Sequence, residues 1–131
     1  MTQEILKLVE GLHTSALMTV LAVTGAGSRA ITWLLGVPGA SRTVLEALAP
    51  YSDQSLAEFI GGKPDQSVSA QTALAMARAA YRRAVQIRDD GVPVVGIGCT
   101  AAITTDRPRR GVHQCYVAAW SSRNVTAYSL E

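Results

Sequence analysis

Two short stretches concentrate the chemistry of this chain: GAGSRA at residues 25–30 and GIGCTA at residues 96–101. Both fit the spacing GxGxxA, and both directly follow an apolar run. Glycines at the carboxyl end of a buried strand let main-chain N–H groups approach an anion, and a helix opening there adds its positive dipole end. On that reading Gly25, Ala26, Gly27 and Ser28 form one half of a phosphate cradle, and Gly96, Gly98, Cys99 and Thr100 the other. Arg29, Arg107 and Arg109 are the cations placed to add charge-assisted hydrogen bonds to a ligand, with Arg42 and Arg110 as further options. Thr24 and Ser28 bracket the first turn with hydroxyls that become nucleophiles only beside a base.

Other assignments of these glycines fail on context. A dinucleotide fold needs two mononucleotide-binding halves, more than 131 residues supply, and Glu46, the nearest candidate for a ribose-binding acid, falls inside an expected strand. GGKP at residues 61–64 is no phosphate loop, because Ala57 replaces its first glycine and Pro64 its Ser or Thr.

For both turns to face one crevice, the strands before them must run parallel in one sheet, and the order of the remaining elements agrees. Thr2 caps a first helix carrying Ile5, Leu6, Leu8 and Val9, which Gly11 ends; residues 16–23 form a doubly covered strand; residues 28–35 form a short helix stopped by GVPGAS. Residues 43–50 read as a second strand. SLAE at residues 55–58 resembles a capping box that opens a short helix, and Ser69 caps a long alanine-rich one. Residues 94–98 are a third buried strand, followed by a long loop over residues 99–111 and two strands, 112–120 and 124–130, joined through SSR. Helical and extended signals in alternation predict an α/β class, a single domain over residues 1–131.

Composition excludes several function classes. A net charge of +2 is no basic surplus for a nucleic-acid surface, and Trp 2, Tyr 4 and Phe 1 are too few and too scattered for a base-stacking platform. The longest apolar run, residues 17–27, is short of a membrane span. Two cysteines and no leader sequence predict a cytoplasmic chain with reduced thiols. His13 and His113 have no ligand-spaced partners, so neither a metal nor a cofactor is expected.

The stretches GAGS, WLLGVPGASRTVLEALAPYS (residues 33–52), VSAQTALAMARAAYRRA and VGIGCTAAITTDRPRRG resemble the CinA carboxy-terminal domain family over about residues 12–120, most specifically in VPGAS…APYS. The variant is closest to the CinA-like domain that precedes a nucleotidyltransferase-like domain in some eukaryotes. The resemblance implies a three-layer α/β/α fold on a mixed, mostly parallel sheet of about five strands. It also implies a nucleotide pocket, since active relatives are amidohydrolases that convert nicotinamide mononucleotide to nicotinic acid mononucleotide. Active members resemble ESCTGG at the first turn and YSNEAK after the second strand, with the serine as nucleophile and the lysine and tyrosine assisting. Aligned on VPGAS, the serine falls on Thr24, the preceding acid on Val23, the glycine pair on Gly27 and Ser28, and the lysine on Leu56; Tyr51 and Ser52 match.

The expectation is a domain that binds a small nucleotide or phosphate-bearing ligand, with Thr24 and Tyr51 left from a catalytic set that has lost its base. Two alternatives stand beside it: an active amidohydrolase using Thr24 or Ser28, and an oligomeric structural or regulatory subunit. Relatives continue into a terminal helix after the last strands, so an uncovered sheet face and a homo-oligomer are also expected.

Overall fold

The computed structural model describes residues 1–88, 90–102 and 113–130. Along the chain run α1 (Gln3–Thr14), β1 (Met18–Gly25), α2 (Ser28–Gly36), a 3-10 turn (Ala40–Arg42), β2 (Val44–Leu48), α3 (Asp53–Ile60), α4 (Ala70–Ile87), β3 (Val94–Ala102), β4 (Gln114–Trp120) and β5 (Val125–Leu130). The strands make one sheet in the order β2-β1-β3-β4-β5. β2, β1 and β3 are parallel, and β4 and β5 add on antiparallel. This is the mixed three-layer α/β architecture expected from the sequence.

Alternation along the strands decides which layer each side chain meets. Val20 packs with Ala80 and Ala84 of α4, and Ala22 with Leu56 of α3 and Met76 of α4, so the even positions of β1 face the α3/α4 layer. Thr19 and Leu21 look the other way, toward Leu12 of α1 and Ala30 and Leu34 of α2. The alanine stripe of α4 lets it lie close to the sheet: Ala73, Ala77, Ala80 and Ala84 are all fully buried. Ser69 caps this helix, its hydroxyl accepting from the Thr72 N–H at 3.1 Å. Ser69→Ala is expected to cost about 1 kcal/mol, seen as a lower urea midpoint.

Three local expectations are corrected. α1 does not stop at Gly11 but runs one turn further, because His13 is buried there and the Ser15 N–H closes the helix on the Gly11 and Leu12 carbonyls. α3 is capped by Ser52 rather than Ser55: the Ser52 hydroxyl accepts from the Ser55 N–H at 3.1 Å, so Ser55 already lies inside the helix. β3 continues through Ala102, so the second glycine stretch is strand and not turn. β5 is exposed along its whole length, with Tyr128 and Leu130 standing free on the sheet edge. Among the described residues, no helix is long and apolar enough to cross a membrane.

Candidate functional site

The carboxyl ends of β1 and β3 lie side by side, with Thr24 in register with Thr100 and Gly25 with Ala101. There the chain leaves β1 through a bend that only glycine accommodates: Gly25 has φ +77°, and a Cβ on it would run into the Ala101 carbonyl oxygen. The Ala26 N–H donates to that same carbonyl at 3.1 Å, and Gly27, at φ +114°, opens α2 with no side-chain cap. On the α3/α4 side of these strand ends sits a cleft of about 250 Å³, lined by Thr24, Gly25, Tyr51, Asp53, Leu56, Ser67, Val68, Thr100 and Ala101.

Each wall has a local cause. Thr24 projects from the last inward-facing position of β1 and is 6 % exposed. Tyr51, 76 % exposed, stands on the rim just before the Ser52 cap, and Asp53 occupies the first turn of α3. Leu56, 2 % exposed, is one turn further in and forms the floor with Ala22 and Met76 behind it. Thr100 is fully buried; its hydroxyl donates to the Ser67 carbonyl at 2.6 Å and so fixes the segment before α4 against the sheet.

Of the residues picked out from sequence, Thr24, Gly25, Tyr51 and Thr100 meet in this cleft. Ala26, Gly27, Ser28 and Arg29 follow in the turn and the start of α2, and Ser52 caps α3; none of these lines the cleft. Gly96 and Gly98 sit mid-strand, where a Cβ would collide with the α4 backbone, so their role in the fold is to let that helix down onto β3. Cys99 points to the opposite face, its sulfur 3.4 Å from where a Gly27 Cβ would be. Its thiol is pushed up to about 12 by burial first, then by the charge of and hydrogen bond to Cys115. Arg107, Arg109 and Arg110 lie outside the described residues. Asp53, Leu56, Ser67, Val68 and Ala101 are lining residues that sequence reasoning did not assign to the ligand. For Asp53 a signal existed, since it directly follows the Tyr51–Ser52 pair; for Ser67 none did, because its link to Thr100 spans 33 residues.

Chemically the cleft offers the hydroxyls of Thr24 and Ser67, that of Thr100 being given to the Ser67 carbonyl, together with a phenol and one carboxylate, and its lining contains neither lysine nor histidine. A threonine hydroxyl needs a positioned base to attack at neutral pH; Leu56, aliphatic, forms the inner wall, and Asp53 is the one carboxylate of the lining. The openings of α2 and α3 lie at these strand ends, helix termini of the kind whose dipoles attract anions. Among the described residues, no group of three His, Cys, Asp or Glu gathers to hold a metal ion.

Sheet order and cleft together define a three-layer α/β domain with its crevice at the carboxyl ends of parallel strands, where ligands bind in open sheets of this kind. No family model matches the sequence, and no curated protein matches it. Among solved structures, the chain has the fold of the CinA superfamily. A competence/damage-inducible protein from Agrobacterium tumefaciens matches with a TM-score of 0.71 at 21 % identity, over 98 % of this chain and 81 % of that one. A CinA-superfamily protein from Enterobacter cloacae matches at 0.70 and 18 % identity, covering 97 % and 76 %, and one from Escherichia coli at 0.67 and 16 %, covering 96 % and 73 %. Likeness at these identities is likeness of fold.

Proposed function

We propose that this CinA-fold domain is a binding module for a small nucleotide or phosphate-bearing ligand, and that it does not turn over nicotinamide mononucleotide. The observation that carries this reading is Leu56, aligned by the sequence resemblance with the lysine of active members; it is 2 % exposed and forms the floor beneath Thr24. Burial of that side chain contributes about 2 kcal/mol to stability, so the position has been given over to the core. Loss of a general base alone removes roughly 10²- to 10⁴-fold from a rate. The cleft, at about 250 Å³, has room for one end of a ligand, with the rest reaching out past the exposed Tyr51.

Two assays separate the readings. Purified protein incubated with nicotinamide mononucleotide is expected to release no ammonia above the buffer blank, while mononucleotides or inorganic phosphate at millimolar concentration raise its melting temperature by native-state binding. Ammonia release that disappears in Thr24→Ala would establish an enzyme instead. No thermal shift with any mononucleotide or phosphate would leave the cleft without a ligand and favour the structural-subunit reading.

A further inference from the structure

The face of the sheet away from α4 carries a second chemistry-bearing cluster. Cys99 is in register with Val117, and Cys115 with Ala101, so the two thiols stand diagonally across the antiparallel β3–β4 pair. Their sulfurs are 4.0 Å apart and in hydrogen-bond contact, and both residues are half-buried. Their strand partners Val117 and Ala101 are aliphatic, so the contact across this pair of strands is sulfur to sulfur.

We propose that Cys99 and Cys115 are a paired modification site that closes to an intramolecular disulfide when a hydroperoxide is the oxidant. The sulfurs must approach from 4.0 Å to about 2.05 Å, and because diagonal positions of an antiparallel pair are about 7–8 Å apart, closure takes a local shift of β4 against β3 as well as side-chain rotation. In the first step one of the two cysteines attacks the O–O bond of the hydroperoxide as its thiolate, taking one oxygen as a sulfenic acid while the alkoxide leaves and is protonated to the alcohol. In the second, the sulfur of the other cysteine displaces that oxygen as water, giving its own proton to it, and the S–S bond forms. Two thiols have then lost two electrons and two protons, and the hydroperoxide has become alcohol and water.

Burial first, then the Cys115 neighbour, raise the Cys99 thiol, and the pairing of the two sulfurs closes the bond whichever of them takes the oxygen first. The bond would tie β3 to β4 beside Ala101, whose carbonyl holds the Ala26 N–H, and would hold Cys99 against the Gly27 opening of α2. Oxidation therefore braces the first glycine turn from behind without entering the cleft.

The test is to treat the full chain with a small excess of hydrogen peroxide and follow intact mass, thiol alkylation and melting temperature. Expected is monomer lighter by two hydrogens, both thiols blocked until dithiothreitol is added, and a melting temperature raised by roughly 10 °C. Cys99→Ser and Cys115→Ser should each lose the intramolecular bond and accumulate at the remaining cysteine a sulfenic acid that dimedone traps. Oxygen added independently at both cysteines, a disulfide between two copies, or thiols still open to alkylation once the peroxide has consumed a free-thiol standard would each overturn the proposal. The wild-type arm decides this even where a variant fails to fold.

Discussion

Gly98→Ala is expected to destabilise the domain by about 3 kcal/mol, read as a lower urea midpoint at unchanged slope, and Gly96→Ala by a similar amount. A Cβ at Gly98 would stand 2.6 Å from the Ala77 nitrogen and 2.7 Å from the Met76 Cβ; one at Gly96 would stand 2.7 Å from the Tyr81 Cα. Atoms so near the main chain cannot swing aside as a side-chain tip does, so α4 must lift as a unit. Lifting it uncovers Ala73, Ala77, Ala80 and Ala84 together, which is why one methyl group has so large an effect. Against a total stability of roughly 5–15 kcal/mol, the double variant should retain little or no folded population. Gly62 is the control: nothing lies within 4 Å of its Cβ position, and Gly62→Ala should shift stability by less than about 0.5 kcal/mol. A Gly98→Ala protein as stable as wild type would mean that α4 does not sit on β3, and the placement of Ser67 at the cleft would fall with it.

Those same glycines show where sequence reading stops. GxGxxA describes both a turn that receives an anion and, in a strand of period two, a smooth lane for a helix, since Gly96, Gly98 and Thr100 then share one face. Spacing does not distinguish the two; continuation of the strand through Cys99, Thr100 and Ala101 does, and that is a matter of pairing with β1 and β4. The elements themselves were legible because their signals are local: the Ser69 cap and alanine stripe of α4, the β-branched run of β1, the glycine bend after it. Cleft residues at strand ends were legible for the same reason. Thr24, Gly25, Tyr51 and Thr100 each follow or close a strand, and parallel order brings strand ends together. Ser67 reaches the cleft only through a hydrogen bond to a residue far along the chain, and Cys99 misses it by one step of alternation, which reversed the face expected of it.

His13→Ala is the second large effect, expected to cost about 4 kcal/mol. The sequence offered His13 only as a histidine without partners at ligand spacing, yet it is 1 % exposed and joins three elements at the end of α1. Its Nε2 lies 3.0 Å from the Leu34 carbonyl near the end of α2, and its Nδ1 2.7 Å from the Thr43 hydroxyl at the entrance to β2. A carbonyl only accepts, so in the neutral ring Nε2 carries the hydrogen and Nδ1 accepts from Thr43. Arg42 adds a third tie, its Nε donating to the His13 carbonyl at 3.0 Å. Thr43 in turn accepts the Thr19 N–H on its carbonyl at 2.7 Å, so the histidine braces the point where β2 joins β1. Alanine would remove a buried ring and leave the Thr43 hydroxyl, itself 4 % exposed, with only its 3.2 Å contact to the Leu12 carbonyl. Val9 and His13 are the two residues of α1 that are buried, so removing the ring takes away one of the helix's two buried anchors. Limited proteolysis of His13→Ala should therefore cut within residues 3–14 well before the rest of the chain, while His13→Gln, which retains one side-chain donor and one acceptor, recovers part of the protection. Equal cleavage of wild type and His13→Ala, with urea midpoints within error, would show that α1 is anchored by something other than this residue.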